Sequence, residues 1–324
     1  MKTILVSGAS GVVGYGVLKS LRQDKTNYKL IGTTIYDDSI APAFCDIFEK
    51  APLTSDEKYI NWLERIIDKH QVDMIIPGIE ADMLAWNKAR ETLTAAGAQP
   101  LLNNPDLIEL CSDKWNFYDK LSKTNTQLLI ESRLSGTFDE LKRDFGVPFL
   151  LKPRRGFASK GIVKVESMED FVKNQNGLGS ALMAQPIVGD ADQEYTVSAF
   201  FDKDSQLLCF MELKRKLSTE GFTEKARVVS LPGVKEAITE LAALLSPIGP
   251  TNFQFRVHDG QLKLLEINPR ISSATSIRAA FGYNESIMSV EYFLNSVVPS
   301  QPHIKPGYAV RYIEEHIFYD SNNI

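Results

Sequence analysis

The sequence predicts a mixed architecture, an α/β unit followed by α+β units, and three stretches carry that expectation. Residues 2–7, KTILVS, form a short apolar run that passes through Gly8-Ala9-Ser10-Gly11-Val12-Val13-Gly14 into apolar positions at helical spacing, Val13, Val17, Leu18 and Leu21. Residues 147–152, VPFLLK, read as an apolar strand that hands a lysine to a glycine-rich loop. Residues 252–270, NFQFRVHDGQLKLLEINPR, hold two alternating runs around a turn and read as a β-hairpin.

Strand, glycine turn and helix in that order open a doubly wound, Rossmann-like sheet. The glycines permit a tight turn and close approach of backbone to a ligand at the helix N-terminus. Taken alone, this turn also suits an NAD(P)-dependent oxidoreductase, with Asp37 or Asp38 as the acid for a ribose. A further strand is expected over residues 72–78, VDMIIPG, after the helix NWLERIIDKH. Ligands of open α/β sheets gather beyond the carboxyl ends of strands. Glu80 and Asp82 therefore either meet a substrate amine or ribose or form the acidic first turn of the next helix.

Bulk composition narrows the function class. The 324 residues suffice for two or three packed units, and 44% apolar with 24% charged residues indicates a globular chain. A net charge of −5 with interspersed signs gives no surface for nucleic acid or an anionic membrane. Cys45, Cys111 and Cys209 are widely spaced and form no C-x-x-C, so reduced thiols in a cytoplasmic protein are expected. No run reaches the length of a membrane span and no leader is apparent. The histidines are scattered, and no Ser-His-Asp or Cys-His arrangement supplies a nucleophile.

Asp113-Lys114 opens a helix carrying Trp115, Phe117, Tyr118 and Leu121. Lys152 emerges from a buried strand, where an unpaired ammonium is costly, so a phosphate partner is expected. Gly156, Ser159 and Gly161 follow, and backbone N–H groups with a hydroxyl can fold over phosphates as a lid. This is not a Walker loop, because the lysine precedes the glycines. Glu194 begins the two-faced strand EYTVSAFF, LLCFMELKRKL gives another, and residues 218–227 read as a polar, mobile loop. Lys214, Arg215, Lys225 and Arg227 offer cations there. Residues 233–246 form an amphipathic helix that stops at Pro247-Ile248-Gly249. After Arg270 the chain is expected to be largely helical, with a last strand in GYAVRYIEEHIF.

In the hairpin, alternation places Leu262, Leu264, Glu266 and Asn268 on one face. Glu266 and Asn268 are hard oxygen donors of the kind Mg²⁺ takes, Pro269 ends the strand, and Arg270 presents a fork suited to phosphate. Parity decides whether Gln254 joins them. A two-residue Asp259-Gly260 turn puts Gln254 and Glu266 on opposite faces. A three-residue His258-Asp259-Gly260 loop, or a bulge of equal effect, puts them on the same face and is therefore the expected arrangement.

The ordered set N-x-Q-F, E-x-N-P-R, a strand lysine before a glycine loop and an upstream Asp-Lys resembles the ATP-grasp superfamily, closest to its carbamoyl-phosphate synthetase large-chain branch. The resemblance implies a Rossmann-like pre-ATP-grasp domain (1–104), a small lid subdomain (105–186) and a large subdomain with the metal hairpin (187–324). It implies ATP with Mg²⁺ or Mn²⁺, held by Gln254, Glu266 and Asn268, and Arg270 meeting the transferred phosphate together with Lys152. Lys114, Lys152, Gly156, Ser159 and Gly161 would meet the phosphates, the backbone of Ala184, Gln185, Pro186 and Ile187 the adenine edge, and Glu194 the ribose. The implied chemistry activates a small carboxylate as an acylphosphate and joins it to an amine or ammonia. Ser273 stands where that branch has a second arginine, and one unit is present where a full synthetase has two, so carbamoyl phosphate synthesis itself is not expected. A non-catalytic ATP sensor is the remaining alternative. A homo-oligomer is compatible with the sequence.

Overall fold

The computed structural model describes residues 1–23, 28–156 and 160–319. The N-terminal unit is a parallel sheet of β1 (Thr3–Val6), β2 (Lys29–Thr34), β3 (Ile47–Lys50), β4 (Met74–Ile76) and β5 (Gln99–Pro100), in the order β3-β2-β1-β4-β5. Alternation along β1 sends Ile4 and Val6 into the core under α1 (Val12–Leu21). Leu5 points the other way, to α2 (Tyr59–His70), α3 (Glu80–Lys88) and α4 (Arg90–Ala95).

Packing accounts for the glycines of the first turn. A Cβ on Gly14 would stand 2.2 Å from the Gly8 carbonyl oxygen, and one on Gly78 would stand 2.1 Å from that of Ser7. The start of α1 thus lies directly against the ends of β1 and β4, which only glycine allows. Asp82 is also structural. It is buried and accepts hydrogen bonds from Thr54 Oγ1 at 2.6 Å and the Tyr59 hydroxyl at 2.8 Å.

Two short helices, α5 (Pro105–Cys111) and α6 (Lys114–Ser122), lead onward and contribute Leu107 and Leu121 to the core of the last unit. A small lobe follows: α7 (Phe138–Phe145), β6 (Phe149–Pro153), β7 (Val163–Val165), α8 (Met168–Asn174) and β8 (Leu182–Pro186). Its antiparallel sheet has the order β7-β6-β8 and closes over Phe138, Phe149 and Phe171. Both helices start at capping boxes, Thr137 with Glu140 and Ser167 with Asp170.

The large lobe is an antiparallel sheet of order β13-β12-β9-β10-β11-β14. Its elements are β9 (Glu194–Phe201), β10 (Leu207–Leu217), β11 (Thr223–Val228), α9 (Val234–Leu245), β12 (Gly249–His258), β13 (Gln261–Asn268), α10 (Thr275–Ala280), α11 (Glu285–Asn295) and β14 (Tyr308–Val310). Behind it, Val234, Ile238 and Leu241 of α9 pack on Val197, Phe253 and Phe255. In front, α10 and α11 cover Phe200, Met211 and Leu213. Next to these lies a buried polar layer centred on Arg278, which pairs with Glu285 at 3.1 Å and donates to Thr196, Asn252 and Ser272. The remaining front face is open. Ile271 and Val290 enter the core under α1, locking the large lobe to the N-terminal sheet.

Two local expectations are corrected. Residues 218–227 are not one loop: β11 begins at Thr223, where its partner strand β10 satisfies the backbone. The C-terminal run forms only the three residues of β14, paired to β11.

Candidate functional site

The hairpin turn is the two-residue one. Asp259 (φ 51°) and Gly260 (φ 74°) are both left-handed, as a type I′ turn requires, and His258 pairs with Gln261. The expected three-residue loop is therefore not formed. The parity is restored higher up by a bulge: Phe255 pairs with Leu264 but Gln254 pairs with Glu266, leaving Leu265 as the extra residue. The bulge also splits the face that simple alternation assigned to β13. Leu262 and Leu264 pack with Ile267 in the core, while Glu266 and Asn268 share the open face. Asn268 Nδ2 donates to Glu266 Oε1 at 3.2 Å.

Between the small and large lobes lies a cleft that joins much of the site read from sequence. Lys114, Lys152, Gly156, Gln185, Pro186, Ile187, Glu194, Gln254 and Glu266 all line it. Its walls also include Ile130, Leu150 and Leu217, apolar surfaces suited to a planar base. Asn268 lines an adjoining pocket that shares Lys114, Lys152 and Glu266 with the cleft and reaches Glu80 of the N-terminal unit.

Each lysine is held by its local structure. Lys114 is the first residue of α6, whose N-cap Asp113 accepts from the Trp115 and Asn116 N–H groups. Arg154 clamps Asp113 at 3.0 Å and Arg155 at 3.3 Å, so these two arginines are anchors of the helix start. Lys114 Nζ donates to the Gly156 carbonyl at 2.7 Å, tying the helix to the glycine loop. Lys152 sits on β6 opposite Met183. Burial pulls its pKa below the ordinary lysine value, against the attraction of Glu266. Burial pushes the Glu266 carboxyl up, but the charges of Lys152 and Lys114 and the Asn268 bond outweigh it and hold it below its usual range.

Other residues fall differently. The Ala184 backbone is consumed by Arg133, through bonds of 3.0 and 2.8 Å, which leaves Gln185, Pro186 and Ile187 as the stretch facing the cleft. The Gln185 side chain turns inward and donates to Ser132 Oγ at 2.8 Å. Gly161 is not at the cleft wall; it adopts φ +76° beside the Pro153 ring. Ser159 lies outside the described residues. Arg270 does not line the cleft with Lys152. It sits at the seam with the N-terminal unit, near Ile76 and Leu101, and its Nη1 donates to the Ile271 carbonyl at 3.0 Å. Burial lowers its pKa, with Glu80 and Glu266 acting in the opposite direction. At Ser273, Arg311 supplies the guanidinium, bonding the Ser273 carbonyl and, at 2.7 Å, the Thr223 carbonyl.

Arg256 is a cleft residue that sequence reasoning did not name, and Arg215, read there only as one of four cations near the 218–227 run, also lines the cleft. The available signal was parity, since Arg256 lies two residues from Gln254 on the same strand.

The fold is the ATP-grasp fold, with the cleft between its two lobes. A family model described as ATP-grasp in the biosynthetic pathway with Ter operon matches residues 181–316. The chain is similar to the carbamoyl phosphate synthase large chain of Methanosarcina mazei, 21% identical over 89% of this chain and 29% of that protein. The large chain from Vibrio vulnificus is 23% identical over 56% of this chain and 18% of that protein. The chain thus spans under a third of the length of the curated relatives it matches. Among solved structures, N5-carboxyaminoimidazole synthetase from Staphylococcus aureus complexed with ADP superposes with a TM-score of 0.74, at 18% identity, covering 94% of this chain and 80% of that one. Biotin carboxylase from Campylobacter jejuni gives 0.72 at 16% identity, covering 95% and 74%. The particular architecture is the one these structures share: an N-terminal α/β unit followed by the two lobes of an ATP-grasp fold.

Proposed function

We propose that the chain is an ATP- and Mg²⁺-dependent ligase that activates a small carboxylate as an acylphosphate and joins it to an amine or ammonia. The observation that carries this reading is the charge of the cleft. Lys114, Lys152, Lys160, Arg215 and Arg256 line it, against only Glu194 and Glu266. A polyphosphate supplies the missing negative charge, and the apolar wall beside the cations accommodates a base.

The donor set suits a hard cation. Glu266 and Asn268 are hydrogen-bonded neighbours on the open face, and they would hold Mg²⁺. Among the described residues no group of three or more His, Cys, Asp or Glu is placed to hold a metal, and nucleotide phosphates would supply the further oxygens. Bound there, Mg²⁺ would supply charge neutralisation on the phosphates.

The chain's own residues bind and orient. Lys152 and Lys114 stabilise the charge on the transferred phosphoryl group. A carboxylate oxygen of the substrate bonds to the γ-phosphorus as ADP leaves. The amine nitrogen then bonds to the acyl carbon, phosphate departs, and the nitrogen releases a proton. No protein nucleophile takes part. The small molecules reach the cleft through the adjoining pocket that Glu80 lines.

The related structures named for carboxylation of small metabolites support a ligase over an oxidoreductase, and the close packing at Gly14 and Gly78 is a role for these glycines in the fold itself. The test is ADP formation from MgATP in the presence of pools of amino acids, sugar acids and ammonia. Turnover that depends on a carboxylate is expected. ATP binding without turnover in any pool supports a sensor instead.

A further inference from the structure

A row of three charges crosses the sheet at the cleft. Glu194 on β9 pairs in register with Arg256 on β12, and Tyr195 pairs with Lys214 on β10, which sets Arg215 opposite Glu194. One Glu194 oxygen accepts from Arg215 Nε at 3.1 Å and Nη2 at 2.8 Å, and the other accepts from Arg256 Nη2 at 3.0 Å. Both partners of the inner pair are buried, Glu194 at 6% and Arg215 at 7% exposure. Two guanidiniums on one carboxylate leave an excess positive charge beside the phosphate-binding lysines.

Arg215 also reaches the hairpin. Its Nη2 donates to Gln254 Oε1 at 2.5 Å, so the amide oxygen opposite Glu266 already faces a cation. A divalent ion placed on that oxygen would lie against a guanidinium fixed by a buried carboxylate, and like charges at such range repel. The remaining nitrogen of Arg215, Nη1, has no hydrogen-bond partner among the described residues and is not enclosed, in a side chain that lines the cleft. It is the donor left over for a ligand.

We infer that the site takes one divalent cation, on Glu266 and Asn268, and that Arg215 supplies through its guanidinium the positive charge that a second cation on Gln254 would bring to the phosphates. Gln254 is then a hydrogen-bond acceptor that holds Arg215, not a metal ligand. Both oxygens of Glu194 are committed to arginines, which turns this acid from a contact for ribose into the fixed base of a phosphate-facing guanidinium pair. The inference rests on the nucleotide reading above.

The experiment counts Mn²⁺ by electron paramagnetic resonance at saturating Mn²⁺ and a non-hydrolysable ATP analogue, and measures analogue affinity by calorimetry. The wild type should bind one Mn²⁺ per chain together with the analogue, and Gln254→Leu should keep that ion. Arg215→Met should weaken the analogue by about tenfold or more, with partial recovery in Arg215→Lys. Two Mn²⁺ in the wild type, loss of the ion in Gln254→Leu, or unchanged affinity in Arg215→Met would each overturn the inference. Should Arg215→Met not fold, the wild-type count and the Gln254→Leu count still decide. A wild type that binds no analogue overturns the nucleotide reading itself, whereas binding with two ions overturns only the role given to Arg215.

Discussion

Gln254 and Glu266 stand directly opposite each other across the β12–β13 hairpin because Leu265 is an unpaired extra residue between them and the turn. Without that bulge the type I′ turn at Asp259-Gly260 would carry Glu266 to the core face, among Phe253, Phe255 and α9. The bulge therefore aims the carboxylate into the cleft while a regular turn keeps the hairpin tight.

Deleting Leu265 should remove the bulge and keep the pairing, because Glu266 would then follow Leu264 directly and still stand opposite Gln254, with Ile267 on the core face. The variant should stay folded and keep Mg²⁺-dependent nucleotide binding. Loss of both would mean that the bulge does more than offset the parity of the two-residue turn.

Lys152→Met should weaken ATP binding about tenfold or more, on the order of 1.4 kcal/mol for a lost charge-assisted contact. The pH profile carries a second expectation. Burial lowers the Lys152 pKa, so the charged form that attracts phosphate is lost on raising pH sooner than for a free lysine near ~10.4. ATP affinity in the wild type should decline across that alkaline range, and the decline should be absent in Lys152→Met. Calorimetry at a series of pH values reads both.

Asp113 gives a stability test. Burial pushes its carboxyl up, but the bonds from Arg154, the Asn116 N–H, Arg155 and the Trp115 N–H together hold it below the ordinary aspartate value. A depressed folded pKa stabilises the fold above the unfolded value of roughly 3.9, and that contribution is lost as pH falls through the folded pKa. Asp113→Asn keeps a good N-cap but removes the charge. It should be less stable than the wild type at pH 7, and the difference should shrink as pH falls below roughly 3.9. A stability difference independent of pH would show that the charge of Asp113 contributes nothing.

What was legible in the sequence follows from the range of the interactions involved. The first strand and glycine turn, α9 and the hairpin are specified by neighbours a few residues apart, and the structure forms them where the patterns lie. Lys152 was legible because an apolar strand ending in lysine is itself an energetic anomaly. The row Arg215, Glu194 and Arg256 was not legible, because it exists only across three strands whose registers no local pattern fixes. Leu265 was hidden for a related reason: parity demanded an irregularity but could not say where it falls. The polar run STEGFTEKAR concealed β11, since pairing with β10 and β14 outweighs composition there.

Glu266 carries the account most directly, as the carboxylate that attracts Lys152 most strongly and the oxygen partner of Asn268. The decisive measurement is nucleotide affinity of Glu266→Ala by calorimetry with and without Mg²⁺. A folded protein is expected, because the residue lies at the cleft rather than in a packed core. Its ATP affinity should no longer rise when Mg²⁺ is added, and ADP formation should be lost. Mg²⁺-dependent binding and turnover close to those of the wild type would contradict the account.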